Sequence, residues 1–256
     1  MRSTMLLLIA SVFVLSGAAN GQPQYFKGAS PEARRANQHY KSGWEAMRRE
    51  SWDEAAKEFQ AALDSDPKFT LAYYSLGRAE MGRKNFSRAI DAYVACRDLY
   101  VKAGGERFTN ELDYKRRLED RILEYQTAIQ QAQQGATGKA QSQQLITRQL
   151  QTQLMTLQQA RDRTDNVRIE VDVPFFVPMA LGAAYFRSSR FDDAEREYKT
   201  ALTANPNSGE THSNLAVLYL VTDRPDLAER EIKLAEDTGF KVNPGLKEDV
   251  KKKKGT

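Results

Sequence analysis

Residues 36 to 67 read ANQHYKSGWEAMRRESWDEAAKEFQAALDSDP, and the pattern of this segment recurs three more times along the chain. The next copy begins at Thr70, 34 residues later. Two further copies begin at Phe175 and Gly209, again 34 residues apart. A fixed period of this length is typical of arrays built from stacked helical units. The sequence therefore predicts two pairs of repeats.

Each copy carries small residues at places where two helices must approach each other closely. The eighth place lies in the first helix and the twentieth place in the second, and a bulky residue follows the twentieth place by four positions, on the same helix face. We expect these residues to pack the repeats together. The small residues of the first helices are Gly43, Gly77, Gly182 and Ala216; those of the second helices are Ala55, Ala89, Ala194 and Ala228; the bulky residues include Phe59, Tyr93 and Tyr198.

These copies resemble the tetratricopeptide repeat, whose pattern has small residues at these places, an aromatic residue on the second helix and a closing proline. Pro67 and Pro206 stand at the closing place of the first and third copies, whereas Val101 and Phe240 stand there in the other two. The four copies of 34 residues make up 136 of the 256 residues. The resemblance implies an all-α fold, a solenoid of helix-turn-helix units.

A long segment, residues 104–174, interrupts the array and lacks the repeat pattern. Apolar residues step by four and three from Leu118 to Ala132, which predicts a packing seam on a helix over residues 109–134. A second apolar stripe, from Ile146 to Leu157, predicts a helix over residues 140–163. We interpret the pair as a glutamine-rich helical hairpin followed by an extended connector, with self-association through residues 109–163 as a possibility. Two degenerate repeats are the alternative.

The start of the chain has the features of a secretory signal peptide. Arg2 precedes an apolar run from Met5 to Ser16, which is too short to span a membrane, and small residues follow it. Cleavage would remove residues 1–21 and leave an exported protein, periplasmic or secreted, with no membrane span. An uncleaved anchor is the alternative, and the absence of a cysteine after the run argues against a lipid anchor.

The domain organisation follows from these patterns. Residues 30–103 hold the first two repeats, residues 104–174 the hairpin and connector, and residues 175–242 the last two repeats. Residues 243–256 are expected to form a capping helix with a lysine-rich, solvated and frayed tail. The net charge of +4 is concentrated in that tail, and basic residues interleaved with aromatics do not occur elsewhere, so nucleic-acid binding has little support.

Catalytic chemistry also has little support in the sequence. The chain has two histidines and one cysteine, and we found no metalloprotease, nucleophile-elbow, phosphate-loop or paired-cysteine motif. His39 and His212 share the fourth place of a first helix, and Cys96 stands at a small-residue place, so all three are predicted to be packing residues. The sequence predicts no enzyme, no cofactor and no metal.

The resemblance implies a binding role for the first helices, which line the concave surface of such arrays at their second, fifth, ninth and twelfth places. In this chain those places are rich in aromatic residues and methionine, which suits an apolar peptide or a protein partner. The residues predicted to bind are Tyr40, Trp44, Met47, Tyr74, Arg78, Met81, Phe176, Met179, Phe186 and Val217.

The sequence leaves one alternative for this surface, argues against one class of partner and allows a second function. The inserted hairpin or the connector could cover it and make it core. Some family members grip a C-terminal carboxylate with lysine and asparagine where this chain has Tyr40 and Trp44, so that class of partner is not expected. The second function to consider is structural oligomerisation through the hairpin, with the repeats as spacing.

Overall fold

The computed structural model describes residues 29–105, 111–134, 140–161 and 172–255. Over these residues the chain forms eleven α-helices and no β-strand, as the sequence predicts. None of the helices in the described ranges combines the length and the apolar character that crossing a membrane requires. The predicted signal peptide lies outside the described residues, as does most of the connector.

Eight helices form the four repeats, two in each. The first pair of repeats is α1 (Pro31–Arg48) with α2 (Trp52–Ser65), and α3 (Thr70–Gly82) with α4 (Phe86–Gly105). The inserted segment is α5 (Glu111–Gln134) and α6 (Ala140–Arg161). The second pair is α7 (Phe176–Arg187) with α8 (Phe191–Ala204), and α9 (Gly209–Val221) with α10 (Pro225–Asp237). The last helix is α11 (Pro244–Lys254).

The same turn joins the two helices of every repeat. A residue at the fifteenth place adopts a left-handed backbone, with φ between 56° and 61°, and the next N–H closes the first helix by bonding to the carbonyl five residues before it. This is the Schellman arrangement that ends many helices. None of the four residues is glycine, which is why the sequence did not reveal the turn. The residues are Glu50, Lys84, Ser189 and Asp223.

The two pairs of repeats form one continuous array, although 71 residues separate them in the sequence. Helix α7 packs directly against α4, as α3 packs against α2. The rings of Tyr74 and Phe176 meet across this junction at 4.9 Å between centroids. Nearby, Arg97 Nη1 donates to Glu197 Oε1 at 3.2 Å and so links α4 to α8. The inserted segment therefore connects α4 to α7 without separating these two helices, and the array of repeats is continuous.

The inserted segment forms two long helices that pack on each other, α5 with 24 residues and α6 with 22. Two degenerate repeats would need four shorter helices, so the hairpin interpretation describes this segment better. Gln143 Nε2 of α6 donates to the carbonyl oxygen of Ala132 in α5 at 3.1 Å, near the closed end of the hairpin. Helix α5 then lies along α1 and over the beginning of α3.

The lysine-rich C-terminus is helical and held to the array, so the expectation of a frayed tail was wrong. Val250 of α11 is buried in a cluster with residues of α9 and α10. Lys253 Nζ lies 3.1 Å from Asp223 Oδ1, and Lys254 Nζ lies 2.9 Å from Asp226 Oδ1. An apolar anchor and carboxylates on α10 and the turn before it therefore order this end, which composition alone did not reveal.

Candidate functional site

The glycines at the eighth place admit a ring from the second helix of the same repeat. A Cβ added at Gly43 would lie 2.6 Å from Phe59 Cε1, and one at Gly77 would lie 2.5 Å from Tyr93 Cε1. The same addition at Gly182 would lie 2.7 Å from Tyr198 Cδ1. These distances are shorter than van der Waals contact allows, so each glycine sets the separation of its two helices. The small residues Ala55, Ala89, Ala194, Ala216 and Ala228 are all fully buried.

The ten residues predicted to bind a partner divide into two groups by exposure. They lie on the face formed by α1, α3, α7 and α9, which we call the first-helix face. Four of the ten are buried, namely Tyr40, Trp44, Phe176 and Met179. The other six are half-buried: Met47, Tyr74, Arg78, Met81, Phe186 and Val217.

Tyr40 and Trp44 are buried because the inserted helix α5 covers the first two repeats. Both belong to the same hydrophobic cluster as Leu118, Ile122 and Tyr125 of α5. Burial raises the pKa of Tyr40 to about 12, and its hydroxyl accepts a hydrogen bond from Ser75 Oγ at 3.3 Å. This part of the first-helix face is core in the described structure, so the prediction that it presents Tyr40 and Trp44 to a peptide needs correction.

The apolar seam of α5 is buried within its own chain. Leu118, Ile122 and Tyr125 have no solvent-exposed surface, and Ile129 and Ala132 retain 8% and 4%. The expectation of association between copies rested on this seam being free, and the intramolecular contact removes that basis. The spacing of a seam identifies a packing face, but it does not identify the surface that the face meets.

Beyond α5, the first-helix face opens into a cavity of about 400 Å³, which we call the methionine pocket. Its volume falls in the range of ligand-binding clefts. Five of the predicted residues line it: Met47, Tyr74, Arg78, Met81 and Met179. The other lining residues are Trp52, Gly82, Tyr93, Ala180, Ala183, Glu210 and Asn214. Phe186 and Val217 lie outside this cavity, farther along α7 and α9.

Arg78 brings a positive charge into the pocket. Its guanidinium carbon lies 4.9 Å from the centre of the Trp44 ring, a cation–π distance. Within the described ranges, no salt bridge engages Arg78, whereas Arg83, just after the end of the same helix, pairs with Asp53 and Glu80. The pocket thus combines three flexible thioethers with one oriented cation.

Tyr74 lines the methionine pocket where the second and third repeats meet. Its ring lies 5.7 Å from that of Tyr93 and 4.9 Å from that of Phe176. Burial raises its pKa to about 12, with Arg78 opposing the rise and Glu210 adding to it. These influences place Arg78 and Glu210 within electrostatic range of the same phenol. The rule for the fifth, ninth and twelfth places predicted the three methionines and Arg78. It gave no signal for Trp52, at the start of a second helix, or for Asn214, at a sixth place, and both line the pocket.

A larger cavity, of about 670 Å³, lies between α2, α3 and α4. Its lining is strongly charged, but the charges engage each other: Arg83 Nε lies 2.6 Å from Asp53 Oδ1, and Glu80 accepts from Arg83 Nη1 at 2.9 Å. A partner would have to replace these ion pairs. The methionine pocket offers apolar surface without that cost, so we regard it as the better candidate site.

The candidate chemical residues have structural partners. His39 Nδ1 lies 2.9 Å from Glu58 Oε2, and His212 Nδ1 lies 2.7 Å from Glu231 Oε2, the same pairing in two repeats. Cys96 is fully buried, and burial raises the pKa of its thiol well above the usual value. In the part of the chain that the structure describes, no three His, Cys, Asp or Glu residues are grouped so as to hold a metal ion.

Comparison with known proteins gives the same repeat in the same places. Family models described as "Tetratricopeptide repeat" match residues 40–98 and residues 185–241. These ranges flank the inserted hairpin. Among curated proteins, none matches this chain.

One solved structure similar to this chain is the crystal structure of the APC/C hetero-tetramer Cut9–Hcn1. The identity is 16% and the TM-score is 0.29. The match covers 88% of this chain and 43% of that chain, so this chain spans less than half the length of the protein it matches.

Proposed function

This chain is a tetratricopeptide-repeat protein, and we propose that it is an exported, non-catalytic scaffold that binds another protein or a peptide through its first-helix face. Tetratricopeptide repeats form protein-interaction folds, so a role in protein binding follows from the family. The finer proposal concerns which part of the face binds, and the methionine pocket carries it.

The supporting observation is the lining of the methionine pocket. Met47, Met81 and Met179 come from three different helices and converge on one cavity. Methionine side chains are unbranched and polarisable, so they adapt to apolar groups of different shapes. Arg78 adds a cation that can pair with a carboxylate beside the apolar group. We therefore propose a partner segment with an apolar anchor residue next to an acidic one.

The methionines also provide the test. The chain has six methionines, and Met155 on α6 is 54% exposed and far from the pocket in the sequence. Full-length protein labelled with ¹³C at the methionine methyl groups is titrated with peptides selected against it from a display library. We expect the signals of Met47, Met81 and Met179 to shift, while that of Met155 stays in place.

Variants assign the binding to the pocket. Met81→Glu places a charge among apolar side chains and should weaken binding of the selected peptide by tenfold or more, about 1.4 kcal/mol or above. Arg78→Gln should weaken it less, and only for peptides that carry an acidic residue. Met155→Glu is the matched control and should bind like the wild type. Equal affinities for Met81→Glu and Met155→Glu would contradict the proposal.

The proposed export has a separate test. If residues 1–21 act as a cleaved signal peptide, mature protein from its native host begins near Asn20 or Gln22. Intact-mass measurement of the purified protein should show the corresponding loss. A mass that includes Met1 to Ala19 would contradict export by cleavage and would leave the binding proposal unaffected.

A further inference from the structure

Helix α5 packs against α1 and α3, so the first-helix face already holds one helix in the structure. Resting on the function proposed above, we propose that α5 is an internal occupant that a partner helix of the same chemistry displaces. That chemistry is an amphipathic helix with apolar residues at the spacing of α5 and two acidic residues four positions apart. The acidic residues would bond to the first turns of α1 and α3.

The apolar contact is extensive. Leu118, Ile122 and Tyr125 of α5 belong to one buried cluster with Tyr40 and Leu71 of the repeats. These three residues repeat at spacings of four and three, so they form a single stripe on α5. Tyr125 also donates its hydroxyl hydrogen to Tyr100 Oη of α4 at 2.9 Å. The face therefore holds α5 through one stripe, as grooves that bind amphipathic helices do.

Two carboxylates of α5 bond at helix N-termini of the repeats. Asp120 Oδ1 accepts from Ser30 N at 2.7 Å, beside the start of α1, and Ser30 Oγ lies 3.2 Å from Asp120 Oδ2. Glu124 Oε1 accepts from Leu71 N at 2.7 Å, in the first turn of α3. Helix N-termini carry unpaired N–H groups and a partial positive charge, so carboxylates are favoured there. The pair sets the register of α5 on the repeats.

The hairpin also buries polar atoms that have no partner in the described structure. Gln149 Oε1 and Gln153 Oε1 of α6 are buried without a hydrogen-bond partner, as are Nε and Nη2 of Arg121 on α5. Buried polar groups without partners destabilise the interface that contains them. Helix α5 packs on α6 as well as on the repeats, but its two carboxylates bond to the repeats. A single helix, without a second one behind it, contains the features that the repeats contact.

Tethering explains why a free helix would bind weakly to the wild-type protein. A segment joined by short connections competes at an effective concentration of about millimolar. A foreign helix must either bind better than α5 or meet a protein in which α5 is weakened. The test therefore weakens α5 without changing the surface that it covers.

The probe is a fluorescein-labelled peptide with the sequence of residues 111–134, and binding to the full-length protein is followed by fluorescence anisotropy. A loosened variant carries Leu118→Ala and Glu124→Ala, both in α5, so the repeat surface stays native. We expect it to bind the probe about tenfold or more tightly than the wild type does. The matched control is Arg116→Gln, on the exposed side of α5, and it should bind like the wild type.

An engineered disulfide bond provides a second test in case the loosened variant does not fold. Ser30→Cys and Asp120→Cys, at side chains in contact, would join α5 to the start of α1, and Cys96 is too buried to interfere. The oxidised protein should not bind the probe, and reduction should restore binding. A probe with Glu124→Ala should bind the reduced protein more weakly than the native sequence does.

Three results would overturn the proposal. The first is that the probe binds neither the loosened nor the reduced protein, and the second is that it binds the oxidised and reduced forms equally. The third is that the loosened variant dimerises in sedimentation and excludes the probe, in which case the occupant is α5 of a second copy. The methionine-pocket titration uses wild-type protein with α5 in place, so these failures are distinguishable from failure of the proposed function.

Discussion

At the scale of single residues, the repeats depend on close approaches and on one unusual backbone conformation. Lys84 turns the chain between α3 and α4 with φ 61°, a region that side chains with a Cβ rarely adopt. Asn85 N then bonds to Glu80 O at 2.9 Å and closes the helix. The hydrogen bonds of the turn hold Lys84 there despite the strain. Glycine adopts this conformation without a steric cost.

Lys84→Gly should therefore stabilise the protein. Removal of the steric strain, about 1–2 kcal/mol, exceeds the greater chain entropy that glycine adds to the unfolded state, about 0.4–1 kcal/mol. We expect a net gain of about 0.5–1 kcal/mol in the free energy of unfolding by urea denaturation. Lys84→Ala is the control and should show no gain. A loss of stability in the glycine variant would contradict this account of the turn.

Gly182→Leu should destabilise the third repeat. The Tyr198 ring occupies the space that a side chain at Gly182 would need, so the helices must separate. Overpacking of this kind costs about 1–3 kcal/mol. The exposed change Lys199→Gln should be nearly neutral, and the comparison is made by thermal melting. Equal melting temperatures for the two variants would show that the glycine does not set the helix separation.

Glu124 should make stability depend on pH. Burial raises the pKa of its carboxyl from 4.5 to about 7, and Asp66 adds to the rise, while Arg121, Arg117 and the bond from Leu71 N oppose it. Because the folded pKa is above the unfolded one, this stabilisation is present below pH 4.5 and is lost as the pH rises through about 7.

Glu124→Gln should remove this pH dependence. The wild type should lose about 1–3 kcal/mol relative to the variant between pH 5 and pH 8. His212 acts in the same direction in both proteins, because its hydrogen bond with Glu231 raises its pKa above 6.5. Urea titrations at the two pH values measure the difference, with Glu248→Gln as an exposed control. Parallel pH profiles for wild type and Glu124→Gln would refute the prediction.

At the scale of elements, the junction of α4 with α7 makes one array from two sequence blocks. Phe176 stands at its centre, 1% exposed, between Tyr74 of α3 and Phe175. The periodic pattern placed Phe176 on a binding surface, because the second place of a first helix faces inward. In the structure the second repeat covers Phe176, so this residue joins the two pairs of repeats.

Phe176→Ala should act on stability. Loss of a buried phenyl ring from a packed core costs about 3–5 kcal/mol. We expect a large fall in the midpoint of urea unfolding, measured by far-ultraviolet circular dichroism. Leu227→Ala, at a residue 39% exposed, should change the midpoint little. A nearly neutral Phe176→Ala would show that the two pairs of repeats are not packed as described.

At the scale of the whole molecule, protection of the backbone amides from hydrogen exchange should differ between the array and the hairpin. Helix α6 packs on α5 and, in the described ranges, makes no comparable contact with the repeats. Gln149 and Gln153 of α6 leave buried side-chain oxygens without partners. Few contacts and unsatisfied groups lower the free energy of local opening.

Hydrogen exchange followed by mass spectrometry should show this difference. We expect the amides of α3 and α7 to be the most protected, those of α5 intermediate, and those of α6 the fastest to exchange among the four. The control is an exchange series at two pH values, which verifies that intrinsic rates do not set the order. Equal protection of α6 and α3 would contradict the proposed weakness of the hairpin interface.

The all-α fold, the register of the four repeats and the helices of the insertion could be predicted from the sequence, because they depend on local periodicity and on which places hold small residues. Gly43 needs no tertiary information to be read as a site of close approach. The surface that each apolar face contacts is known from the three-dimensional packing alone. Tyr40 and Leu118 each have the pattern of a binding face, and pattern cannot pair one face with another. The burial of Leu118 against the first two repeats depends on contacts between residues far apart in the chain, and these left the methionine pocket as the open part of the first-helix face.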